Sequence, residues 1–217
     1  LRTILGARGV TLDGFEPGGL LLCGEVPVIQ RAARNPATRP KAGVFFGLAG
    51  IAVDPACGAD AKWSTPVDRL IRTWKSIGAH VYLVPSVPAI FGDAVAARRS
   101  QGRSVDDATM AELSYYRSLA ARDPAHISVL DAGTYLHDTL GRYIWTMPCL
   151  PHEVGCTAKH TIGIRALVDG FHLCSVPGLF DPGTCPAPSS GGERRAAAAI
   201  ATGLLPSLAT VTGQSLN

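Results

Sequence analysis

The length, composition and charge of the chain define its broad class and exclude two kinds of partner. Its 217 residues, 47% of them hydrophobic and 17% charged, are enough for one α/β domain with a full core. The formal net charge is only +3 and acidic residues are interspersed among the basic ones. No basic face is therefore predicted, and neither nucleic acid nor an anionic membrane is expected as a partner.

In the first third of the chain, apolar runs predict two strands and one helix. Val10–Phe15 is a short strand candidate. Ala42–Val53 is continuously apolar, which is typical of a strand buried on both faces. Between Asp60 and Gly78, apolar residues recur at the spacing of an amphipathic helix, and Gly78 is typical of a helix end.

Strands and helices continue to alternate in the rest of the chain. His80–Val87 and His126–Leu130 are predicted strands, and Val105–Arg122 is a predicted helix whose start is favoured by two early aspartates. Glu193–Leu205 is a predicted alanine-rich helix, and Pro206 is expected to interrupt it. This alternation predicts a parallel sheet covered on both faces, with functional residues at the carboxyl ends of its strands.

Neither a spanning helix nor a targeting segment is indicated. The longest apolar run, Ala196–Val211, is shorter than the roughly 18 residues that suggest a spanning helix, and it contains Gly203 and Pro206. The sequence begins at Leu1 without methionine or a basic region, so no signal peptide is visible. We interpret the sequence as that of a processed, excised or incompletely represented chain.

The cysteine count predicts disulfides and an oxidising compartment. Six cysteines are an even number, and pairing of neighbours gives three bridges: Cys23–Cys57, Cys149–Cys156 and Cys174–Cys185. An alternative uses Cys149, His152, Cys156 and His160 as four zinc ligands. Disulfides are the preferred interpretation, because structural zinc sites more often open with a tight pair of cysteines and no histidine between them.

A candidate catalytic pair lies in the stretch LVDGFHLCSVPG, residues 167–178. An aspartate three residues before a histidine allows the Asp169 carboxylate to accept the Nδ1 proton of His172, which leaves Nε2 free as a base. The alternative is an ordinary loop in which Asp169 caps a turn and His172 is half exposed. The position of this pattern, late in an α/β chain and before a Pro-Gly turn, favours the catalytic interpretation.

The segment Met147–Gly178 (MPCLPHEVGCTAKHTIGIRALVDGFHLCSVPG) resembles the closing part of SGNH, or GDSL-type, hydrolase domains. It is most similar to the extracytoplasmic SGNH domains found alone or fused to membrane acyltransferases in actinobacteria. The order of "HVYLVPSVP", "RSLAARDP" and "ISVLDAG" also suits that family. The resemblance implies a single domain over residues 1–217, with a three-layer flavodoxin-like α/β fold, a central parallel sheet and disulfide-bonded loops.

The resemblance also implies roles for individual residues. Asp169 and His172 match the orienting carboxylate and the general base, and Gly19 is a loose match to the glycine whose backbone N–H faces the oxyanion. Gly50 matches the glycine of the next block, but Ile51 replaces the asparagine that normally follows there. Loss of one oxyanion donor typically costs on the order of a hundredfold to a thousandfold in rate.

The nucleophilic serine of the family has no match in this sequence. Leu1–Gly9 resembles the end of the helix that the serine block opens, so the first strand and the serine are expected upstream of residue 1. The stretch Phe91–Val95 (FGDAV) resembles the serine block, with Ala94 in the serine position. We interpret it as the loop after the His80–Val87 strand, because too few elements separate it from Asp169.

Two functions follow from these observations as hypotheses. The first is an extracytoplasmic serine esterase or O-acyltransferase that acts on acyl esters of an envelope glycan, a lipid or a small molecule, needs no cofactor or metal, and is a monomer with a membrane acyltransferase domain as a candidate partner. The second is a non-catalytic SGNH-like module that binds carbohydrate or a partner protein, with Tyr143 and Trp145 stacking on a sugar or packing in the core. Glu153 and the Arg194–Arg195 pair are expected to be solvated.

Overall fold

A computed structural model of the chain shows a mixed α/β protein. The structure describes residues 1–11, 27, 30–31, 33–37, 39–46, 64–85, 105–131, 133, 136, 146–151, 153, 161–164, 173–175, 185 and 189–212. Among the described residues, the continuous helices are α1 (Arg2–Gly6), α2 (Ser64–Ser76), α3 (Val105–Arg122) and α4 (Gly192–Thr212). The strands in this part of the chain are β1 (Ala42–Phe46), β2 (His80–Val84), β3 (Ile127–Val129), β4 (Thr146–Pro148), β5 (Thr161–Gly163) and β6 (Ser189–Ser190).

The chain divides into two compact units. We call one the parallel-sheet unit, formed by residues 2–86, 111–130 and 201–217, and the other the cysteine unit, formed by residues 1, 87–110 and 131–200. The interpretation of residues 1–217 as a single domain stays a prediction.

The parallel-sheet unit is organised around three strands in the order β1-β2-β3, and both strand pairs are parallel. The register aligns Ala42 with His80 and Val81 with Ile127. All five residues of β2 are buried, as expected for the central strand of a sheet covered on both faces. The predicted parallel sheet is therefore confirmed for β1, β2 and β3, and residues 47–53 of the predicted strand Ala42–Val53 lie outside the described part of the chain.

Helix α2 ends where the sequence predicts, and its end leads directly into β2. Gly78 has φ +77°, a conformation that side chains with a Cβ rarely adopt. The N–H of Gly78 donates to Lys75 O and that of Ala79 donates to Trp74 O, at 3.0 Å in both cases. This pair of hydrogen bonds satisfies the last carbonyls of the helix in a Schellman motif and turns the chain toward the start of β2.

One face of the parallel sheet carries the main apolar core. Its buried members come from α2, α3, β2, β3 and the segment before β2: Val67, Leu70, Ile71, Trp74, Ala79, Val81, Leu83, Tyr116, Leu119 and Ile127. Phe45 of β1 packs edge-on against Trp74, with ring centroids 5.8 Å apart. Full burial of each large apolar side chain contributes about 1.5–3 kcal/mol, so burial in this cluster strongly stabilises the unit.

The other face of the sheet is covered by the second half of α4, whose length differs from the prediction. Tyr82 of β2 is fully buried, and its hydroxyl donates to Ser207 Oγ at 2.7 Å. The helix runs through Pro206 to Thr212, so the expected interruption at Pro206 is wrong. The reason is tertiary packing: Leu204 and Leu208, four residues apart on one helix face, are both buried and continue the apolar face past the proline.

The cysteine unit contains a second, smaller sheet that the sequence did not predict. Strand β4 pairs antiparallel with β5, and β5 pairs parallel with β6. A separate cluster of buried residues supports it, formed by Leu136, Ile162, Ile164 and Ala196 with Met147, Cys149 and Leu173 packed against them. The predicted central sheet therefore corresponds to the sheet of the parallel-sheet unit, and the sheet of the cysteine unit is additional to it.

Candidate functional site

The predicted catalytic residues Asp169 and His172 lie outside the described residues, as do the predicted oxyanion glycines Gly19 and Gly50. Cys23, Cys57 and Cys156 also lie outside them. The structure does describe Leu173, Cys174 and Ser175, the residues that directly follow His172. The elements that hold this segment, β5 and the start of α4, are also among the described residues.

The segment after His172 is fixed at Cys174 by one covalent bond and two hydrogen bonds. Cys174 forms a disulfide with Cys185, which confirms this predicted pair. Its backbone N–H donates to Ile164 O at 2.9 Å, and its carbonyl accepts from Glu193 N at 3.0 Å. Cys174 is completely buried. The chain thus leaves the candidate catalytic turn at a point attached both to the end of β5 and to the first turn of α4.

Two glycines allow α4 to begin against β5. The N–H of Gly191 donates to Gly163 O at 3.0 Å. A Cβ on Gly192 would lie 2.1 Å from Ile164 O, far inside contact distance. Since the same carbonyl accepts the hydrogen bond from Cys174, only glycine at this position lets the helix and the Cys174 segment share the end of β5.

The loop around Cys149 is bound to the same helix turn through a buried ion pair. Arg195 Nε donates to Glu153 Oε1 at 3.0 Å, and Arg195 Nη2 donates to Glu153 Oε2 at 2.8 Å and to Pro148 O at 2.5 Å. Leu150 N donates to Glu153 Oε2 at 2.9 Å. The two side chains are only 6% and 7% exposed. The expectation that Glu153 and Arg195 are solvated is therefore wrong, because the folded loop brings them together away from water.

The charge state of Glu153 follows from these contacts. Burial raises the pKa of its carboxyl group, but the hydrogen bonds from Arg195 and Leu150 and the positive charges of Arg195 and Arg194 outweigh burial. The pKa of Glu153 consequently lies below its ordinary value. The carboxylate is ionised at neutral pH, which the two-site ion pair requires.

The alternative of a zinc site at Cys149 conflicts with the structure. Cys149 is disulfide-bonded, so its sulfur is not available as a thiolate ligand. The other half of this bridge lies outside the described residues, so the pairing with Cys156 stays a prediction. In the part of the chain that the structure describes, no group of three or more histidine, cysteine, aspartate or glutamate side chains is arranged to hold a metal ion.

A serine–histidine pair lies in the parallel-sheet unit. His80 Nε2 is 2.9 Å from Ser128 Oγ, and Nδ1 is 3.2 Å from Ala125 O. Because a carbonyl only accepts, Nδ1 carries the hydrogen and Nε2 accepts from the serine hydroxyl. Burial, the largest influence, lowers the pKa of His80 below its ordinary 6.5, with a smaller opposing effect of the hydrogen bond to Ala125. The ring is therefore neutral at pH 7.

The position of this pair indicates a structural role. His80 is the first residue of β2, at the amino end of the sheet, whereas α/β sheets place ligands at the carboxyl ends of their strands. His80 is 7% exposed, and its ring centroid lies 4.7 Å from that of Tyr82, which is itself hydrogen-bonded to α4. The His80–Ser128 hydrogen bond therefore joins β2 to β3 in the interior. Ser128 and His80 are nevertheless a second serine–histidine pair that a test of catalysis must distinguish from His172.

The outer surface of α2 carries a shallow cleft and a charged network. The cleft has a volume of about 520 Å³ and is lined by Asp68, Ile71, Arg72, Lys75 and Ser76. Lys75 also contacts the Asp123 carboxylate, which accepts from His126 Nδ1 at 2.8 Å. The hydrogen bonds from Lys75 and then from His126 lower the pKa of Asp123. These side chains are partly exposed, and such ion pairs are typical of a solvated helix surface.

Within the described segments, no helix is both long and apolar enough to span a bilayer. Comparison with protein-family models, with curated proteins and with solved structures gives no match to this chain. The features that bear on function are therefore the resemblance of its motifs and the geometry around Cys174 and α4.

Proposed function

We propose that this chain is an SGNH-type domain with a three-layer flavodoxin-like fold that acts as an extracytoplasmic serine esterase or O-acyltransferase. The observation that carries the proposal is the D-G-x-H-x-C segment, whose cysteine is held by a disulfide and by backbone bonds to β5 and α4. The parallel sheet with helices on both faces and a disulfide-bonded loop are compatible with this fold. A buried disulfide also suits an oxidising compartment.

The proposed reaction proceeds in two steps. His172 takes the proton of a serine hydroxyl as the oxygen attacks the acyl carbonyl, and it returns that proton to the alcohol as the ester bond breaks. Water or a sugar hydroxyl then attacks the acyl-enzyme and loses its proton to His172, which gives that proton to the serine oxygen as the acyl–serine bond breaks. Asp169 orients the imidazole and stabilises its positive charge, and the backbone N–H groups of Gly19 and Gly50 stabilise the oxyanion.

Fluorophosphonate labelling with peptide mapping tests the proposal. The wild-type protein, purified at its full cellular length, is compared with His172→Ala and with His126→Ala as a matched exposed-histidine control. We expect labelling of one serine, abolished in His172→Ala and retained in His126→Ala.

A third variant, His80→Ala, tests whether the His80–Ser128 pair carries the chemistry instead. Labelling of Ser128 that is lost in His80→Ala and kept in His172→Ala would assign the chemistry to the parallel-sheet unit and overturn the proposal. An unlabelled wild-type protein would overturn catalysis altogether, and the domain would then be a binding module for envelope carbohydrate or a partner protein.

A further inference from the structure

The buried pair Glu153–Arg195 connects the loop after Cys149 to the first turn of α4 within the cysteine unit. Arg195 lies in the first turn of α4, and Glu153 lies in the loop that follows Cys149. Both carboxylate oxygens accept from the guanidinium, and Oε2 also accepts from Leu150 N. Arg195 further binds Pro148 O. Arg195 of α4 is therefore bonded to Glu153 in the loop and to Pro148 at the end of β4, and Leu150 holds the Glu153 carboxylate from within the loop.

The same helix turn holds the residues after His172. Glu193 N donates to Cys174 O, and Leu173, the immediate neighbour of His172, packs in one apolar cluster with Cys149 and with Ala196, the immediate neighbour of Arg195. The ion pair and the segment after His172 are thus joined through α4 and a common cluster. Helix α4 and this cluster are the contacts through which a change in the position of the loop would reach Leu173 and Cys174.

Stability alone does not explain such a pair. Desolvation of two charges offsets much of their attraction, and well-packed apolar replacements of buried ion pairs are often as stable or more so. A bidentate pair fixes the relative orientation of its two side chains, because the planar guanidinium donates two parallel hydrogen bonds that the two carboxylate oxygens must match. The negative charge of Glu153 beside the first turn of a 21-residue helix is favoured by the helix dipole as well.

We propose that Glu153 and Arg195 are positioning residues, which set the geometry of the segment that carries His172 by fixing the Cys149 loop to α4. This inference rests on the proposed function for its catalytic consequence, but its structural consequence concerns the described residues Cys174 and Glu193. Neither side chain is assigned a contact with the substrate.

Three variants of the full-length chain test the inference. Glu153→Gln keeps the shape and removes the charge, Arg195→Lys keeps the charge and removes the two-site geometry, and the double change Glu153→Leu with Arg195→Met replaces the pair by apolar side chains. The control is Tyr82→Phe, which removes a buried hydrogen bond in the parallel-sheet unit. Melting temperature, amide hydrogen exchange at Cys174 and Glu193, and the rate of His172-dependent fluorophosphonate labelling are measured on each.

We expect amide exchange at Cys174 and Glu193 to accelerate by about tenfold or more in all three variants, because the local opening that exposes these amides becomes easier. Labelling should slow by roughly 10–100-fold, the size of effect that a displacement of about 1 Å produces in an active site. The apolar double variant should show these losses even where its melting temperature equals that of wild type. Tyr82→Phe should lower the melting temperature and change neither rate.

Two results would overturn the inference or separate it from the proposed function. If the variants lower the melting temperature but leave exchange and labelling within about twofold of wild type, as expected for Tyr82→Phe, the pair is merely structural. If the wild-type protein is not labelled at all, the proposed function fails, and exchange at Cys174 and Glu193 alone decides whether the pair positions this segment.

Discussion

Removal of the Cys174–Cys185 disulfide should destabilise the cysteine unit by a predictable amount. The bridge closes a chain segment with a sequence separation of 11 residues. The entropy of closing a loop of that length corresponds to roughly 2.8 kcal/mol at 25 °C. The double change Cys174→Ala and Cys185→Ala also leaves a small void where two buried sulfurs were, which adds about 1 kcal/mol. The expected loss is therefore about 3–4 kcal/mol.

Urea unfolding monitored by circular dichroism gives this number as the difference between the extrapolated free energies of unfolding, because loss of the crosslink expands the unfolded chain and changes the slope as well as the midpoint. Dithiothreitol added to the double variant then measures the combined contribution of the disulfides that the variant retains, the one at Cys149 among them. Amide exchange at Glu193 should rise in the double variant, because its acceptor is Cys174 O. A loss below about 1 kcal/mol would refute the reasoning, because it would mean that the two hydrogen bonds of Cys174 hold the segment without the covalent bond.

Three further predictions concern single positions. Gly192→Ala should cost about 3 kcal/mol or more of unfolding free energy in urea titration, because its Cβ meets Ile164 O at 2.1 Å and a backbone carbonyl moves only with its strand; an unchanged midpoint would contradict the close approach. Tyr82→Phe should cost about 1 kcal/mol through the lost hydrogen bond to Ser207, and a neutral effect would mean that this bond does not stabilise α4 on the sheet. The pKa of His80 is lowered in the folded state, so the unfolded chain binds more protons as the pH falls through 6.5. The free energy of unfolding should then decrease from pH 7 to pH 5, and a His80→Gln variant with the same pH slope as wild type would exclude His80 as the cause.

The long, periodic elements could be predicted from the sequence because their own residues specify them. Helix α3 spans Val105–Arg122 as predicted, and α2 occupies Ser64–Ser76 inside the predicted range. The signals were local: an apolar face at helical spacing and a glycine whose positive φ ends α2. Helix α4 exceeded its prediction because burial of Leu208 depends on the sheet beneath it, which no local pattern contains.

The second sheet could not be predicted in the same way. Strands of two or three residues, such as Thr161–Gly163 and Ser189–Ser190, are too short to show the alternation on which strand prediction depends. Their pairing is imposed by distant partners and by the bridges around them. The burial of Arg195 was missed for the same reason: adjacent arginines at a helix start are usually solvated, and only the folded loop supplies the Glu153 carboxylate.

The candidate site was predicted from spacing and resemblance, and its central residues stay predictions. Asp169 and His172 lie outside the described residues, whereas the neighbouring disulfide Cys174–Cys185 is confirmed. Cysteines are favourable cases for prediction, because their even number and proximity limit the possible pairs. The number of possible Asp–His pairs is not limited in this way, so the labelling experiment must decide whether Asp169 and His172 are catalytic.

The crowded junction at the start of α4 also restricts how this sequence can change over evolutionary time. Position 192 accepts no side chain, and Arg195 and Glu153 can be replaced only together, since either one alone leaves a buried charge without its partner. Cys174 and Cys185 are likewise lost or kept as a pair. Descendants of the same ancestral fold should therefore share glycine at 192 and show correlated substitution at 153 and 195, even where the rest of the sequence has diverged beyond recognition.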